Sequence, residues 1–315
     1  MTDLRTGAVI GLDVGGTAMK GLLVGPAGEC IAQRRRPTPA ASGPDAVVEE
    51  IRSLCRELGT QTDQLQAAGI AVPGIVDPVA GVARYAANLG WTDVPLAALL
   101  STDLGVPVRL DHDVRSAGLA ESRLGAGRGI EEFLFLPVGT GIAAAMSIGA
   151  EIRAGASGAA GELGHVPVYP GGEPCACGQR GCLETYASAA AVRRRYIAAG
   201  GSSDPDAQQI VARLGADPIA DTIWREACTA LGIALATYTL IADPAVIVIG
   251  GGMAAAGAAL LDPVRSEITA RLAWRPGPDP TVVVAELGPT AGAIGAALLG
   301  WQAAGHPTIA EDWAA

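Results

Sequence analysis

The sequence has 315 residues, of which 50% are hydrophobic and only 4% are aromatic. A chain of this length and apolar content can bury two cores, which predicts two domains. The formal net charge is −10, whereas nucleic-acid surfaces depend on clustered lysine and arginine. The composition therefore argues against a nucleic-acid partner.

Neither a secretory leader nor a membrane span is predicted. The chain opens without a basic segment followed by an apolar core, and its longest uncharged run, Ala245–Leu261, is interrupted by Gly250–Gly252. That run is also shorter than the ~20 residues that a helix needs to span a bilayer. We therefore expect a cytoplasmic protein with no membrane partner.

The first part of the chain alternates apolar segments with glycine-rich turns, which is typical of neighbouring strands in a sheet. Helical spacing of Ile51, Leu54 and Leu58 interrupts this pattern. The predicted elements are strands at Ala8–Asp13, Ala18–Val24 and Gly28–Arg35, a helix at Asp45–Leu58, and a strand at Ala67–Val72.

The turn between the first two strands combines groups that suit an anion. Gly15 and Gly16 let backbone N–H groups approach a ligand. Thr17 offers a hydroxyl, and Asp13 projects a carboxylate from the end of its strand. Because a Gly-Gly turn also occurs in ordinary hairpins, two interpretations stay open here, a phosphate site and a simple hairpin.

Two further strand ends carry candidate functional residues. The segment from Gly74 to Trp91 is long and interrupted by glycine and proline, which predicts a functional loop rather than a linker. The short strand Val108–Leu110 delivers Asp111-His112-Asp113 just before a helix. A carboxylate in that place can be poised over a cleft, although Asp113 can also serve as the N-cap of the helix.

The opening pattern of strand, glycine turn and strand recurs later in the chain. Phe133–Val138 and Ile142–Ile148 are predicted strands, and Gly139-Thr140-Gly141 joins them. Two such units indicate an internal duplication in which each copy grips one side of a phosphate chain. This is the layout of the actin-like ATPase (ribonuclease H-like) fold, an α/β fold of two domains with an interdomain cleft.

Four residues in the segment Gly161–Glu184 have the chemistry and spacing of a closed metal site: His165, Cys175, Cys177 and Cys182. Three thiolates and one imidazole form a tetrahedral set for zinc, and the intervening glycines let a short chain curl around one ion. The alternatives are a disulfide and free buried thiols. The odd number of clustered cysteines and the tight Cys-x-Cys pair argue against a disulfide. Because a closed set leaves no position for water, we expect a structural zinc ion.

The last part of the chain again joins an apolar strand to glycines. Ala245–Ile249 has the continuous apolar character of a strand in a parallel sheet and runs into Gly250-Gly251-Gly252. Glycines without side chains would let a nucleotide lie against the backbone at this point. The hydrophobic pattern alone supports only a tight turn between a strand and a helix. The other predicted elements are helices at Tyr186–Ala199, from Asp217-Pro218 to Ala242 and at Ala291–Ala303, and a strand at Thr281–Ala285.

The segment Gly161-Glu-Leu-Gly-His165, followed by Cys-x-Cys-Gly-x-x-Gly-Cys-Leu-Glu184, resembles the zinc-loop signature of the ROK family. This family contains bacterial glucokinases, other hexose and N-acetylhexosamine kinases, and sugar-responsive repressors. The Asp-x-Gly-Gly-Thr turn likewise resembles the first phosphate motif of actin-like sugar kinases. The resemblance covers nearly the whole chain. Because the phosphate motif begins at Asp13, we expect no helix-turn-helix domain of the kind that the repressors carry.

The resemblance implies a sugar site and a catalytic base. Asp113 matches the base of the family. His112 stands where the family usually has an asparagine that bonds a sugar hydroxyl, which leaves the sugar preference open. Asn88 can alternatively cap a turn. The residues expected beside the sugar are Gly74, Asn88, His112, Asp113, Glu162, His165 and Glu184.

The resemblance also implies a nucleotide site with Mg²⁺, which Asp13 holds directly or through water. Gly250 and Gly251 are expected at the adenosine. The residues expected at the phosphates are Gly15, Gly16, Thr17, Thr140 and Gly141.

The same resemblance implies how the chain is divided. A smaller domain of residues 1–115 plus 296–315 is expected to carry the first phosphate motif and Asp113. A larger domain of residues 116–295 is expected to carry the zinc loop and the adenosine site. The last helix is expected to cross back to the N-terminal domain. Dimers are common in the family, which predicts a homodimer or a higher homo-oligomer.

These features together predict an ATP-dependent hexose kinase that converts glucose to glucose 6-phosphate and uses Mg²⁺ and a structural zinc ion. Three alternatives stay open. The acceptor can be mannose, fructose, N-acetylglucosamine or N-acetylmannosamine, polyphosphate can replace ATP as the donor, or the protein can be a sugar-binding sensor without catalysis. The N-acetylhexosamines are less favoured because Ile75 is apolar where some of those kinases place a polar contact.

Overall fold

A computed structural model describes residues 7–202 and 204–313. The chain forms two compact units, each with its own apolar core. The first unit takes in the described residues of Met1–Arg128, Ile152–Ala160 and Pro289–Ala315. The second takes in those of Gly129–Glu151 and Gly161–Gly288.

The described residues form strands and helices whose bounds are as follows. The strands are β1 (Ala8–Val14), β2 (Ala18–Val24), β3 (Cys30–Pro37), β4 (Leu65–Val72), β5 (Ile75–Asp77), β6 (Val82–Ala86), β7 (Trp91–Val94), β8 (Val108–His112), β9 (Phe133–Pro137), β10 (Ala145–Ile148), β11 (Glu151–Ile152), β12 (Val246–Gly250) and β13 (Thr281–Val284). The α-helices are α1 (Pro44–Gly59), α2 (Leu96–Leu104), α3 (Asp113–Leu124), α4 (Glu184–Ala187), α5 (Ala189–Ala198), α6 (Ala207–Val211), α7 (Pro218–Ala242), α8 (Ala258–Leu272) and α9 (Ala291–Ala303).

The large sheet of the first unit has the strand order β3-β2-β1-β4-β8. β1 is antiparallel to β2 and parallel to β4, and β4 is parallel to β8. β1 and β4 are apolar and largely buried, as expected for strands covered on both faces. The register pairs Asp13 with Ala71 and Ala71 with Asp111, so the carboxyl ends of these parallel strands lie side by side.

The sheet of the second unit repeats this arrangement with the order β11-β10-β9-β12-β13. β9 is antiparallel to β10 and parallel to β12, which is parallel to β13. The turn Gly15–Thr17 after β1 corresponds to the turn Gly139–Gly141 after β9. The internal duplication predicted from the two strand–glycine–strand patterns is therefore confirmed.

Helix α9 packs so closely against β1 and β4 that its backbone lies against theirs. A Cβ atom on Gly69 would lie 1.9 Å from the carbonyl oxygen of Ala296, and one on Gly11 would lie 2.4 Å from the amide nitrogen of Ala297. Gly295 is equally close to α3, because its Cβ would lie 1.7 Å from the carbonyl oxygen of Ser116. All of α3 and all of α9 lie in the first unit. The domain division expected from the resemblance instead cuts these helices at 115/116 and at 295/296.

Three elements differ from those expected. The segment Gly74–Trp91 is not an open loop, because half of it belongs to a separate sheet, β5-β6-β7. The helix predicted at Tyr186–Ala199 is divided into α4 and α5 at Ser188, whose side chain accepts a hydrogen bond from the amide of Ala191 and thereby starts a new helix. The strand predicted at Ile142–Ile148 begins only at Ala145.

The predicted start of the long helix is confirmed. Asp217 is the N-cap of α7, and its carboxylate accepts hydrogen bonds from the amides of Ile219 and Ala220, with Pro218 in the first turn. Among the described residues, no helix combines the length and the apolar character that a membrane span requires.

The contact between α9 and β4 makes a prediction about stability. Gly69→Ala adds a Cβ atom that meets backbone rather than a movable side chain, so the helix or the strand must shift. We expect a free energy of unfolding that is lower by about 1–3 kcal/mol, measured by denaturant unfolding. Gly59→Ala is the matched control, because its Cβ would meet only Leu65 at 3.5 Å and alanine favours a helix. Equal stabilities of the two variants would contradict the close packing.

Candidate active site

The turn between β1 and β2 exposes bare backbone at the edge of the first sheet. The amide of Gly15 donates to the carbonyl oxygen of Ala18 at 3.0 Å, which closes the turn. Gly16 and Thr17 are exposed. A Cβ atom on Gly16 would lie 2.9 Å from Nδ2 of Asn88, so the structure brings Asn88 against this turn. An anion can therefore approach the backbone N–H groups here without meeting a side chain on Gly16.

Asp13 lies at the end of β1 and is mostly buried. Burial, together with the negative charge of Asp113, raises the pKa of Asp13 to about 6, and Lys20 opposes this shift. Lys20 is the cross-strand partner of Asp13, and its Nζ lies 3.9 Å from Oδ2. Two carboxylates with one distant cation leave a net negative charge, which is the environment that a divalent cation neutralises. The donor set thus fits Mg²⁺.

Asp113 is the first residue of α3, and the N-cap position belongs to His112, whose side chain does not cap the helix. Oδ1 of Asp113 accepts a hydrogen bond from the amide of Val114 at 2.7 Å. The same oxygen lies 3.3 Å from Nε2 of His112. His112 is buried, whereas 29% of the Asp113 side chain is exposed, so this carboxylate can reach a ligand.

Gly74 follows β4 in a left-handed conformation with φ of +91°. A Cβ atom there would lie 2.1 Å from the carbonyl oxygen of Tyr85 in β6. Packing of the small sheet therefore requires glycine at this position, whether or not a ligand lies beside it.

In the second unit, Glu184 joins the predicted zinc loop to the second glycine turn. Its Oε2 accepts a hydrogen bond from the amide of Ile142 at 2.8 Å, and a Cβ atom on Gly141 would lie 2.6 Å from that oxygen. Thr140 is exposed in the same turn. The structure thus brings Glu184, Thr140 and Gly141 together.

The four predicted metal ligands form one cluster, and their ligand atoms all lie within 4.8 Å of one another. Sγ of Cys177 is 3.7 Å from Sγ of Cys182, and Sγ of Cys175 is 3.6 Å from Nδ1 of His165. Tetrahedral zinc with Zn–S bonds of about 2.3 Å separates two sulfurs by about 3.8 Å, so the cluster fits zinc. Cys175, Cys177 and Cys182 are free thiols, so the disulfide alternative is wrong.

His165 has its second ring nitrogen directed to a different partner. While Nδ1 faces Cys175, Nε2 lies 3.9 Å from Oε2 of Glu162. A metal-bound histidine commonly has a carboxylate at its other nitrogen, which fixes the orientation of the ring. Glu162 is therefore held beside the cluster, with part of its side chain exposed.

The glycines after β12 lie beside a small cavity. Gly251 has φ of +74°, and its Cβ would lie 2.5 Å from the carbonyl oxygen of Val138, immediately before the second glycine turn. A cavity of about 270 Å³ opens beside Gly252, with Met253 and Val211 in its apolar wall. An apolar cavity next to bare backbone suits a flat aromatic group.

The profile of the ROK family matches residues 9–303. The chain belongs to the ROK family. The glucokinase of Streptomyces coelicolor is 32% identical to this ROK protein over 312 residues, which cover 92% of this chain and 96% of that protein.

Two solved ROK structures are similar over most of the chain. The ROK hexokinase from Thermus thermophilus has a TM-score of 0.80 and 33% identity, and the match covers 94% of this chain and 98% of that one. A ROK family glucokinase from Streptomyces griseus, in complex with glucose and AMPPNP, has a TM-score of 0.81 and 31% identity, with 94% and 100% covered. The α/β fold and the family predicted from the sequence are confirmed.

One residue at this site was missed by the sequence analysis. Lys20 is the only lysine in the sequence, and it lies opposite Asp13. Its Nζ also donates to the carbonyl oxygen of Pro289 at 2.8 Å, just before α9. The signal was available in the composition, because a chain that otherwise uses arginine has its single lysine three residues after the first glycine turn.

The raised pKa of Asp13 makes a prediction about stability and pH. The folded protein keeps a proton on Asp13 up to about pH 6, whereas an unfolded aspartate releases it near 3.8. This favourable protonated state is lost as pH rises through 6, so the charged group destabilises the fold at higher pH. We expect Asp13→Asn to be more stable than the wild type by up to about 3 kcal/mol at pH 7.5 and equally stable at about pH 3, below both pKa values.

Denaturant unfolding without Mg²⁺ or nucleotide measures this difference. Asp63→Asn, at an exposed position of the same unit, controls for the loss of one charge. An Asp13→Asn protein that is less stable than the wild type at pH 7.5, or whose difference does not change with pH, would contradict the effect of burial.

Proposed function

We propose that this ROK protein transfers the γ-phosphoryl group of ATP to a hydroxyl of a hexose, and that glucose is converted to glucose 6-phosphate. The observation that carries the proposal is the pair of glycine turns at equivalent places in two duplicated sheets, with Asp113 beside the first turn. The Streptomyces griseus relative, in complex with glucose and AMPPNP, supports the same two ligand classes for this chain.

In the proposed nucleotide site, backbone amides hold the phosphates and apolar residues hold the adenosine. The turn after β1 supplies Gly15, Gly16 and Thr17, and the turn after β9 supplies Thr140 and Gly141. Gly250 and Gly251 lead to the small cavity at Met253, which we propose for the adenosine. Mg²⁺ held by Asp13, directly or through water, would neutralise phosphate charge.

Each unit by itself contains residues that we propose for sugar binding. In the first unit, Gly74, Asn88 and His112 lie along the segments that also carry Asp113 and the first turn. In the second unit, Glu162, His165 and Glu184 belong to the metal-bearing loop. Carboxylates and an imidazole bond adjacent hydroxyls, so a sugar that lacks a hydroxyl would leave a polar group unpaired.

Asp113 is proposed to accept the proton of the attacking hydroxyl, on carbon 6 of the sugar, while the phosphoryl group moves in line. A loose transition state requires chiefly positioning and charge neutralisation, which backbone amides provide. Nε2 of His112, at 3.3 Å from the carboxylate, helps to orient it. Proton transfer to Asp113 then occurs late in the reaction, because a carboxylate is a weak base in water.

The cluster of His165, Cys175, Cys177 and Cys182 is proposed to hold a structural zinc ion, which contributes folding energy to the loop and no step of the reaction. Its role for the sugar is indirect. His165 and Glu162 are held in one orientation, and Glu184 follows Cys182 closely in the chain. The cytoplasmic location and the homo-oligomeric state remain predictions.

One observation favours testing other acceptors. His112 occupies the place of the expected asparagine, and an imidazole differs from an amide in shape and in its hydrogen-bonding groups. An assay of ADP release with glucose, mannose, fructose, N-acetylglucosamine and N-acetylmannosamine ranks the acceptors, and polyphosphate replaces ATP in a parallel series. A sensor without catalysis would bind a sugar and release no ADP.

The role of Asp113 predicts the kinetics of one variant. Asp113→Asn keeps the shape of the side chain and removes the base, so we expect kcat to fall by about 10²- to 10⁴-fold with little change in the KM of the sugar. Steady-state ADP release measures both constants, and Asp63→Asn is the control. Undiminished turnover by Asp113→Asn would remove the proposed base.

The metal cluster predicts a second variant. We expect about one zinc ion per chain by elemental mass spectrometry. Cys177→Ser should lose most of this zinc and raise the KM of the sugar about tenfold, because the loop that bears Glu162 loosens. Cys30→Ser is the matched control, since Cys30 is also exposed but lies outside the cluster. A Cys177→Ser protein with wild-type KM would separate the metal from sugar binding.

A further inference from the structure

Arg115 is an arginine in the interior of the first unit, two residues after Asp113 in α3. Only 2% of its side chain is exposed. A charged side chain is rarely buried to this degree unless hydrogen bonds and an opposite charge compensate for the lost water. The surroundings of Arg115 provide both.

The guanidinium of Arg115 connects three separate segments. Its Nε donates to Oδ1 of Asp111 at 2.7 Å, which also balances the charge. One terminal nitrogen donates to the carbonyl oxygen of Gly158 at 2.8 Å, and the other lies 3.5 Å from the carbonyl oxygen of Val76 in β5. Arginine suits this place because its donors form a planar, rigid fork.

Gly158 belongs to a segment with an unusual position in the fold. Residues Ile152–Ala160, here called the strap, belong to the first unit, although the chain before and after them belongs to the second. The strap rests on β5 at backbone contact, because a Cβ atom on Gly158 would lie 2.2 Å from the carbonyl oxygen of Val76. Arg115 therefore bonds to the strap and to the strand that supports it.

The strap leads directly into the proposed sugar site. Ala160 is followed by Gly161, whose Cβ would lie 2.0 Å from the carbonyl oxygen of Ala144, and then by Glu162. Gly161 alone separates the end of the strap from Glu162, so the two are directly joined along the chain. A displacement of the strap is expected to displace Glu162.

We propose that Arg115 is a positioning residue for the sugar, which holds the strap on β5 and thereby places Glu162 without touching the sugar itself. This inference rests on the proposed function, and it adds a determinant of sugar affinity to it. The same guanidinium also holds β5, which directly follows Gly74. One buried group thus contacts both the strap and the strand that follows Gly74.

The first test compares Arg115→Met and Arg115→Lys with the wild type. We expect the KM of the sugar to rise about 10- to 100-fold, with the KM of ATP nearly unchanged. Arg115→Lys should have a sugar KM almost as high as that of Arg115→Met, since an ammonium cannot reproduce the planar fork. If Arg115 only stabilises the fold, the amount of active protein falls while the sugar KM of the remaining enzyme stays at the wild-type value, and the proposal is overturned.

A second variant disturbs the contact between the strap and β5 and leaves Arg115 unchanged. Gly158→Ala forces a Cβ atom onto the backbone of Val76 and should raise the KM of the sugar in the same way. Gly149→Ala is its matched control, because Gly149 also has a positive φ, of +62°, but a Cβ there meets nothing within 4 Å. The backbone strain is thus similar in both, and only Gly158→Ala displaces the strap. Equal sugar KM values for the two variants overturn the proposal.

Hydrogen exchange, followed by mass spectrometry, tests the strap without using activity. Amides of Ile152–Ala160 should exchange faster in Arg115→Met than in the wild type. Unchanged exchange overturns the role of Arg115 in holding the strap. Faster exchange with an unchanged sugar KM overturns its role in positioning and leaves the proposed function intact. A wild-type protein that phosphorylates no hexose overturns the proposed function instead.

Discussion

A buried negative charge at the end of β1 is the constraint on which the first unit depends. Asp13 is mostly removed from water and feels the negative charge of Asp113, which Lys20 at 3.9 Å partly offsets. The start of α9 is equally close, because a Cβ on Gly292 would lie 2.8 Å from the Asp13 carboxyl carbon. The proposed binding of a cation and phosphates beside Asp13 explains why the fold retains a group with this energetic cost. The glycines of the neighbouring turn keep that space open.

In the second unit, polar side chains lie on a loop that has little secondary structure to fix them. The cysteine and histidine ligands are spaced so that one ion can replace a hydrophobic core. Glu184 then ties this loop to the turn after β9 through the amide of Ile142. The elements that we propose for sugar and for phosphate binding are therefore linked by a hydrogen bond within one unit.

The sequence predicted those features whose determinants are local. The metal ligands lie close together in the chain, and the glycine turns repeat with their flanking strands, so spacing alone identified both. The sheet β5-β6-β7 was missed because its short strands leave too little periodicity between glycines and prolines. Arg115 was missed because no pattern distinguishes a buried arginine from an exposed one, since its partners Val76 and Gly158 are distant in sequence. The contacts of α9 likewise depend on tertiary packing.

The presence of a single lysine has a practical consequence. The chain offers one ε-amino group to acylating reagents, and 31% of the Lys20 side chain is exposed. Coupling through amines to a sensor chip, a dye or a resin therefore attaches the protein at Lys20 or at its amino terminus. Attachment at Lys20 would neutralise the cation opposite Asp13. Immobilisation through exposed carboxylates avoids this, and a fluorophore placed on Lys20 on purpose would report on the surroundings of Asp13.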